Sequence, residues 1–183
     1  MHLTADKNHM NELINRCIDG DQMAYQQVYE MCAKGVFSSI IRIVRSKEEA
    51  EDLLQDTFAT AFQQLKYYRG EASLFGWIKR IGVNKSLNQI KKKKLDIKDN
   101  TNEADLTWQE DPWNNIDLPT PDQIARKIQL LPDGFRVVLS LYLFEGYSHK
   151  EIASELAISE STSKTQYLRG KKKLKQLFEA HEA

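Results

Sequence analysis

The sequence predicts an all-α protein made of two small helical domains joined by an acidic flexible linker. Three observations support this prediction. Glycine and proline are scarce, at 8 and 4 among 183 residues. Apolar residues recur at the spacing of helices rather than at the alternating spacing of strands. Charge is unevenly distributed along the chain, although the formal net charge is zero.

Composition excludes several classes of protein. The longest apolar run, residues 137–144, is interrupted by Ser140 and is far shorter than the roughly 20 residues that cross a bilayer. The first ten residues are polar and lack a signal-peptide core. We therefore expect no membrane insertion and a cytoplasmic location. The two cysteines, Cys17 and Cys32, lie inside helical patterns, so no disulfide framework is expected.

Residues 1–94 form the predicted first domain, with 15 basic and 11 acidic side chains. Apolar stripes predict a helical bundle, and short polar side chains mark where its helices begin. Asp21 is a good N-cap, Ser46 with Glu49 has the spacing of a capping box, and Ser73 follows a glycine-containing turn. The predicted helices cover residues 10–19, 46–65 and 74–94, with another beginning after Asp21.

Residues 95–120 differ from the rest of the chain, because they carry seven acidic side chains and one basic side chain. Pro112 and Pro119 lie in the same stretch, and aliphatic residues are few. This composition predicts a linker. At roughly 3.3 to 3.6 Å per residue it could span on the order of 90 Å when extended.

Residues 121–183 form the predicted second domain. A helix is expected after Pro121 and another over residues 133–145. Ser148 and Glu151 form a second capping box that begins a short helix, and Ser159 is the expected cap of a final helix that extends to about residue 178. A short helix, a tight turn and a longer basic helix predict a helix-turn-helix.

The final helix carries six positive side chains and no acid between Lys164 and Lys175. Its predicted inward stripe leaves cations, short hydroxyls and an amide on the outer face, where base edges and phosphates of a major groove would lie. A solvated basic face is the alternative interpretation. The residues predicted to face outward are Ser161, Lys164, Thr165, Gln166, Arg169 and Lys172.

The helix over residues 74–94 and the loop before it combine cations and amides with aromatic rings. This mixture is typical of surfaces that neutralise phosphates and stack unpaired bases. Trp77 shares a face with Ile81, so a core position is the alternative interpretation for that ring. The aromatic residues are Tyr67, Tyr68, Phe75 and Trp77, and the polar face holds Lys79, Arg80, Asn84, Lys85 and Asn88.

Two stretches resemble a known family. AEDLLQDTFATAFQQLKYYRGEASLFGWIKRIGVNKSLNQIKK resembles region 2 of bacterial sigma-70 family factors of the extracytoplasmic-function (ECF) group, and LLPDGFRVVLSLYLFEGYSHKEIASELAISESTSKTQYLRGKKKL resembles their region 4. The resemblance implies a dissociable subunit that binds core RNA polymerase, recognises the −10 and −35 promoter elements and opens the DNA. It also implies contacts with the β′ clamp helices and the β flap of the polymerase, and an anti-sigma factor as a further partner.

The resemblance assigns roles to particular positions. Asp52, Gln55 and Asp56 match the patch that docks on the clamp helices. Residues 67–73, with Tyr67, Tyr68, Arg69, Glu71 and Ser73, match the loop that captures a base flipped from the −10 element. Lys79, Arg80, Asn84, Lys85 and Asn88 match the helix that follows that element, and Ser161, Lys164, Thr165, Gln166 and Arg169 match the −35 reader.

Two positions depart from the family pattern. Ser163 stands where a small aliphatic residue is common, and Gly170 stands where alanine is common. We therefore expect a recognition helix that is less well packed, with a glycine that costs up to about 1 kcal/mol in helix propensity. The positions of the −35 contacts carry over, but the base preference does not.

Two alternatives compete with a sigma factor. A stand-alone helix-turn-helix regulator would use the second domain, but this alternative gives no function to residues 1–94 and the acidic linker. An enzyme is the other alternative, but no nucleophile with a nearby base, phosphate loop or metal-ligand spacing is present. The four histidines are scattered, so neither a metal nor another cofactor is expected.

Overall fold

The structure, a computed structural model, describes residues 2–93 and 119–180. Every regular element in these ranges is helical, which confirms the predicted all-α class. The helices divide into two compact units, Met1–Ser86 and Leu87–Ala183, and the division falls inside a helix. None of the helices in the described ranges has the length and apolar character needed to cross a membrane.

The first unit contains three long helices, one turn of 3₁₀-helix and the beginning of a fourth helix. The first helix is longer than predicted, because the polar residues before 10 give no apolar stripe to detect. The bounds are α1 His2–Ile18, α2 Gln22–Val44, α3 Lys47–Gln64, the 3₁₀ turn Leu65–Tyr67 and α4 Leu74–Lys92.

The helix starts in this unit are fixed by the predicted caps. The Asp21 carboxylate accepts from the amides of Met23 and Ala24 at 2.8 and 3.3 Å. The Ser46 hydroxyl accepts from the Glu49 amide at 3.4 Å. Each bond satisfies an amide that has no partner inside its own helix. Both predicted N-caps are confirmed, although for Ser46 and Glu49 the observed bond is only one of the two that a capping box contains.

The first unit buries apolar side chains of α2, α3 and α4. Gly82 lets α4 approach α2 closely, because a Cβ at that position would lie 3.2 Å from side-chain atoms of both Val36 and Ile40. The surrounding aliphatic side chains are almost completely buried. They include Val28, Ile43, Leu54, Ala61, Leu65, Leu74, Ile78 and Val83.

The second unit contains α5 Pro121–Ile128, α6 Asp133–Leu143, α7 His149–Leu156 and α8 Glu160–Glu179. The capping box of Ser148 and Glu151 is confirmed, and Ser159 caps α8 by accepting from the Thr162 amide at 2.9 Å. A further capping box joins Thr120 and Gln123. The core consists of Ile128, Leu131, Leu139 and Leu174, with Ile124, Phe135, Phe144, Tyr167, Leu177 and Phe178 packed around it.

Gly170 is the point of closest approach between α8 and α6. A Cβ there would lie 3.0 Å from Leu139 Cδ1 and 3.1 Å from the Cβ of Phe135. The expectation of a loosely packed recognition helix at Gly170 is therefore wrong. The missing side chain is replaced by a closer approach of α6, which a single helix pattern does not reveal.

The predicted domain boundary at residue 94 stays a prediction. Residues 94–118 lie outside the described residues, so the interior of the predicted linker is not described. Its last residue, Thr120, is described and is the N-cap of α5.

Candidate functional site

The predicted docking residues lie together on the outer face of α3. Asp52, Gln55 and Asp56 are exposed, while Leu54 and Phe58 on the opposite face are buried. The apolar side chains hold α3 against α2, because the helical period places the polar triplet away from that contact. The structure brings the three residues onto one accessible surface, which we call the α3 patch.

An ion pair joins the α3 patch to α4. Lys85 Nζ lies 2.8 Å from Asp56 Oδ2, with side-chain exposures of 25% for the lysine and 66% for the aspartate. Since the pair is partly exposed, it contributes at most about 1 kcal/mol to stability. A residue predicted to dock on polymerase therefore contacts a residue predicted to read the −10 element. Their separation of 29 positions hid this contact from sequence reasoning.

The two tyrosines of the loop have different environments. Tyr67 is 69% exposed, whereas Tyr68 is half-buried. The Tyr68 hydroxyl donates to the Ala72 carbonyl, and its ring centroid lies 5.3 Å from that of Trp77. Burial raises the pKa of the Tyr68 phenol. The two neighbouring tyrosines therefore differ, because Trp77 of α4 supplies a ring for Tyr68 to pack on.

The remaining predicted loop residues are exposed. Arg69 and Glu71 lie on either side of Gly70, whose φ of +72° favours glycine. Ser73 is exposed as well, and its hydroxyl accepts from the Gly76 amide at 3.1 Å. Ser73 therefore caps α4, as its position in the sequence predicts.

The polar face of α4 is accessible along most of its length. Arg80, Asn84 and Asn88 are exposed, and Lys79 and Lys85 are half-buried. The Lys79 ammonium lies 5.9 Å from the ring centroid of Phe75. Trp77 is half-buried, so it is neither a full core residue nor an open stacking surface.

The predicted outer face of α8 is only partly accessible. Ser161 and Lys164 are exposed, and Arg169 is half-buried. Thr165 and Gln166 are buried, with 5% and 8% exposure, so the prediction that both lie outward is wrong for this structure. The helices α5, α6 and α7 all contact α8, so more of its surface is covered than the one apolar stripe indicates.

The turn between α7 and α8 is held by polar and aromatic contacts that the sequence did not predict. His149 Nδ1 lies 3.0 Å from the Ser163 hydroxyl, and the His149 ring stacks on Tyr142 with centroids 4.7 Å apart. Burial, followed by the charge of Lys164, lowers the pKa of His149. Ala157 makes the turn with a φ of +54°. The His149–Ser163 contact thus joins the first residue of α7 to α8.

No group of three or more His, Cys, Asp or Glu side chains in the described residues is arranged to hold a metal ion. Cys17 and Cys32 are free thiols, and burial raises the pKa of each. These thiols are consequently poor nucleophiles.

Comparisons with known proteins match both units. The sigma-70 region 2 family model matches residues 28–95, and the sigma-70, region 4 family model matches residues 122–174. Together the two models cover about two thirds of the chain.

Curated relatives match most of the chain. It is 25% identical to the RNA polymerase sigma-H factor of Pseudomonas aeruginosa, over 87% of the chain and 89% of the relative. It is 28% identical to the ECF RNA polymerase sigma factor SigW of Bacillus subtilis, over 85% and 89%. The fold resembles that of sigma factor RpoE from Bartonella quintana, solved in complex with the anti-sigma factor NepR, at 19% identity and a TM-score of 0.50, covering 85% of this chain and 96% of that one.

Proposed function

The chain belongs to the sigma-70 family of RNA polymerase sigma factors, in its extracytoplasmic-function group, and on this basis we propose how its surfaces divide the work of transcription initiation. A sigma factor binds core RNA polymerase, recognises the −10 and −35 elements and promotes DNA opening. The observation that carries the assignment is the presence of region 2 and region 4 in this order in one short chain.

Docking on polymerase is assigned to the α3 patch. Its residues are exposed, and the fold of region 2 does not need two of them, because neither Asp52 nor Gln55 is buried. Their carboxylate and amide groups suit a basic helical partner, such as the β′ clamp helices. The β flap is the expected partner of region 4.

Recognition of the −10 element is assigned to the loop 67–73 and the polar face of α4. Exposed Arg80, Asn84 and Asn88 supply one cation and two amides along one helix face. Cations neutralise phosphates, and amides can donate to and accept from base edges, so this face suits a strand that is being unpaired.

Recognition of the −35 element is assigned to the beginning of α8. Ser161 and Lys164 are the accessible members of the predicted set, with Arg169 half-buried beside them. Thr165 and Gln166 can take part in base contacts only if they become accessible on DNA. We expect Ser161 and Lys164 to make most of the contacts with the −35 element.

The remaining assignments follow from this role. The chain acts in the cytoplasm, where its polymerase partner is, and it performs no catalysis of its own. An anti-sigma factor is a suitable regulator, as in the RpoE complex with NepR. The residues between the two family matches, 96–121, connect −10 and −35 recognition.

In vitro transcription tests the proposal. Core RNA polymerase from the source organism is supplied with a pool of upstream DNA fragments, with and without this chain. We expect discrete transcripts only when the chain is present. A chain that binds one DNA site by itself and adds no transcripts would be a stand-alone regulator instead.

A further inference from the structure

The first turn of α4 rests on α2 at Gly35. A Cβ at Gly35 would lie 2.7 and 2.8 Å from the Cε2 and Cζ atoms of the Phe75 ring. Any larger side chain at this position would have to displace the ring, because protein interiors are packed to van der Waals contact. The absence of a side chain leaves a notch in α2, which we call the Gly35 notch, and the edge of the Phe75 ring occupies it.

A second close approach lies two helical turns further along α4. There α4 supplies the glycine, because a Cβ at Gly82 would lie 3.2 Å from side-chain atoms of Val36 and Ile40. Seven positions separate Phe75 from Gly82, which is about two turns of an α-helix, so both lie on the same face of α4. Lys79 lies between them on this face, and its side chain is half-buried.

The Phe75 ring restricts where the Lys79 ammonium can lie. Its centroid is 5.9 Å from Lys79 Nζ, which is within the range in which the face of a ring attracts a cation. The edge of the ring is held in the Gly35 notch, while 39% of Phe75 stays exposed. The next residue after Lys79, Arg80, is exposed and belongs to the face assigned to the −10 element. Phe75 therefore connects α2 to the beginning of that face.

We propose that Phe75 is a positioning residue for recognition of the −10 element, because its ring, seated in the Gly35 notch, holds the Lys79 ammonium where that ammonium binds a DNA phosphate. The proposal rests on the proposed function and deepens it. Lys79 contacts the DNA, whereas Phe75 and Gly35 act only through Lys79.

A lysine that is held in advance binds a phosphate more tightly than one that is free to move. A lysine side chain has many rotamers and loses most of this freedom when it binds a phosphate, which lowers affinity. The ring restricts the Lys79 side chain before DNA arrives. The ammonium has three N–H donors, and a ring contact does not exhaust them, so it can bind the ring and a phosphate at the same time. The ring therefore adds to affinity.

The test uses holoenzyme assembled from the full chain and core polymerase, with a promoter recovered by the transcription experiment. The probe is a fluorescently labelled fragment of that promoter whose −10 region is already unpaired by mismatches, so strand opening does not enter the measurement. The dissociation constant is measured at several salt concentrations. Thermal unfolding of each free variant shows whether the fold is kept.

Two single variants test the contacts of the ring and the ammonium. Lys79→Ala should lower the slope of log affinity against log salt by about 1, because one phosphate contact is lost. Phe75→Leu keeps an apolar side chain but removes the face of the ring. It should weaken binding by about 2- to 5-fold, the range for an exposed cation–π contact, and lower the slope by less than Lys79→Ala does.

The double variant Phe75→Leu/Lys79→Ala separates positioning from folding. If Phe75 acts through Lys79, the double variant should bind no more weakly than Lys79→Ala, because the group that the ring positions is already absent. A residue that only stabilised the fold would weaken binding by the same factor whether or not Lys79 is present.

Gly35→Ala tests the notch without removing the ring. The new Cβ would displace the ring from α2, while the higher helix propensity of alanine stabilises α2 itself. We expect binding to weaken by about 2- to 5-fold, as in Phe75→Leu, with little change in the unfolding temperature. Weaker binding by a protein of unchanged stability is the result that positioning predicts.

Tyr29→Leu is the matched control. Tyr29 is an aromatic residue of α2 with 41% exposure, close to the 39% of Phe75, and its ring packs on Phe58 of α3 with centroids 4.7 Å apart. This substitution should leave the affinity and the slope at their wild-type values.

Four results would overturn the inference. Additive effects of Phe75→Leu and Lys79→Ala would make Phe75 a residue of the fold alone. Tighter binding by Phe75→Leu would show that the ring holds the ammonium away from DNA. Wild-type binding by Gly35→Ala would show that the notch is not needed. Wild-type affinity and slope in Lys79→Ala, in a holoenzyme that transcribes normally, would remove Lys79 from phosphate binding.

None of these four results would touch the proposed function, because each concerns how one lysine is held. A wild-type holoenzyme that makes no transcript would refute the proposed function itself.

Discussion

The surroundings of His149 make the stability of the helix-turn-helix depend on pH. Its ring lies between Tyr142 and Tyr167, with centroid distances of 4.7 and 5.4 Å. Burial and the nearby Lys164 ammonium favour the neutral imidazole, and the Glu160 carboxylate opposes them less strongly. The neutral ring is therefore the form that the folded unit prefers.

The pH dependence of stability follows from this preference. The folded pKa of His149 lies below the ordinary value of 6.5, so its stabilising contribution is complete above that pH and falls as pH drops through 6.5 toward the folded pKa. Denaturant unfolding of wild type should show a larger loss of stability between pH 7.5 and 5.5 than His149→Gln. Equal losses in the two proteins would contradict this account.

A substitution at Gly170 tests how closely α8 packs on α6. Gly170→Ala gains up to about 1 kcal/mol in helix propensity, but overpacking against Leu139 and Phe135 costs about 1 to 3 kcal/mol. We expect a net loss of about 0 to 3 kcal/mol in the free energy of unfolding. Lys172→Ala, at an exposed position of the same helix, is the control. A clear stabilisation by Gly170→Ala would contradict this account, because it would show that α6 can move away from α8 at little cost in free energy.

These residues also mark what a sequence can predict. Asp21 and Ser159 were recognised as caps because a cap acts within three residues of itself. Thr165 is buried in a helix that contacts α5, α6 and α7, and the Tyr68 ring packs on Trp77 nine positions later, so neither contact follows from the pattern of one helix. Local signals predict where helices begin, but they do not predict which polar side chains become covered.

At the scale of elements, α3 and α4 carry the two surfaces assigned to the first unit, and one ion pair joins them. The α3 patch is assigned to polymerase docking, and the Asp56–Lys85 ion pair connects it to the face assigned to the −10 element. Removing Asp56 would therefore disturb both surfaces. Asp52 and Gln55 give a cleaner test of docking, since both are exposed.

The double variant Asp52→Ala/Gln55→Ala should weaken binding to core polymerase and leave thermal stability within the range of ordinary surface substitutions, about 0.5 kcal/mol. The matched control is Gln26→Ala/Glu30→Ala on α2, which removes the same two kinds of group from another exposed face. Affinity can be measured by competition for core polymerase. Equal affinities of the double variant and the control would refute the docking assignment.

The salt dependence of DNA affinity tests the role assigned to the beginning of α8. The Lys164 ammonium pairs with Glu160 at 2.7 Å in the free chain and must exchange this partner for a phosphate or a base on DNA. If Lys164 contacts a phosphate, Lys164→Ala should reduce the slope of log affinity against log salt by about 1 for all sequences. If it contacts a base, the preference at one position should relax by about 1 to 3 kcal/mol.

Lys47→Ala is the control for this measurement. Lys47 is also an exposed lysine paired with a glutamate one helical turn away, Glu51, but it lies on α3 outside the assigned DNA surfaces. Its removal should change neither the slope nor the preference. A Lys164 variant indistinguishable from this control would remove Lys164 from −35 recognition.

At the scale of the whole molecule, the order of the two family regions carries the function. The fold class followed from spacing along the entire chain, because amphipathic periods persist over many residues and a single exception cannot change them. The order of region 2 and region 4 was also visible in the sequence. The domain boundary at 94 stays a prediction, and α4 continues across the division between the two compact units at Ser86.

The central claim is that this chain reads promoters as part of polymerase. Footprinting of one recovered promoter, with the chain alone, core polymerase alone and the two together, tests it most directly. We predict protection near −35 and −10 and permanganate-reactive thymines in the −10 region only when both proteins are present. Specific protection of the same DNA by the chain alone, with no change on adding core polymerase, would contradict the claim.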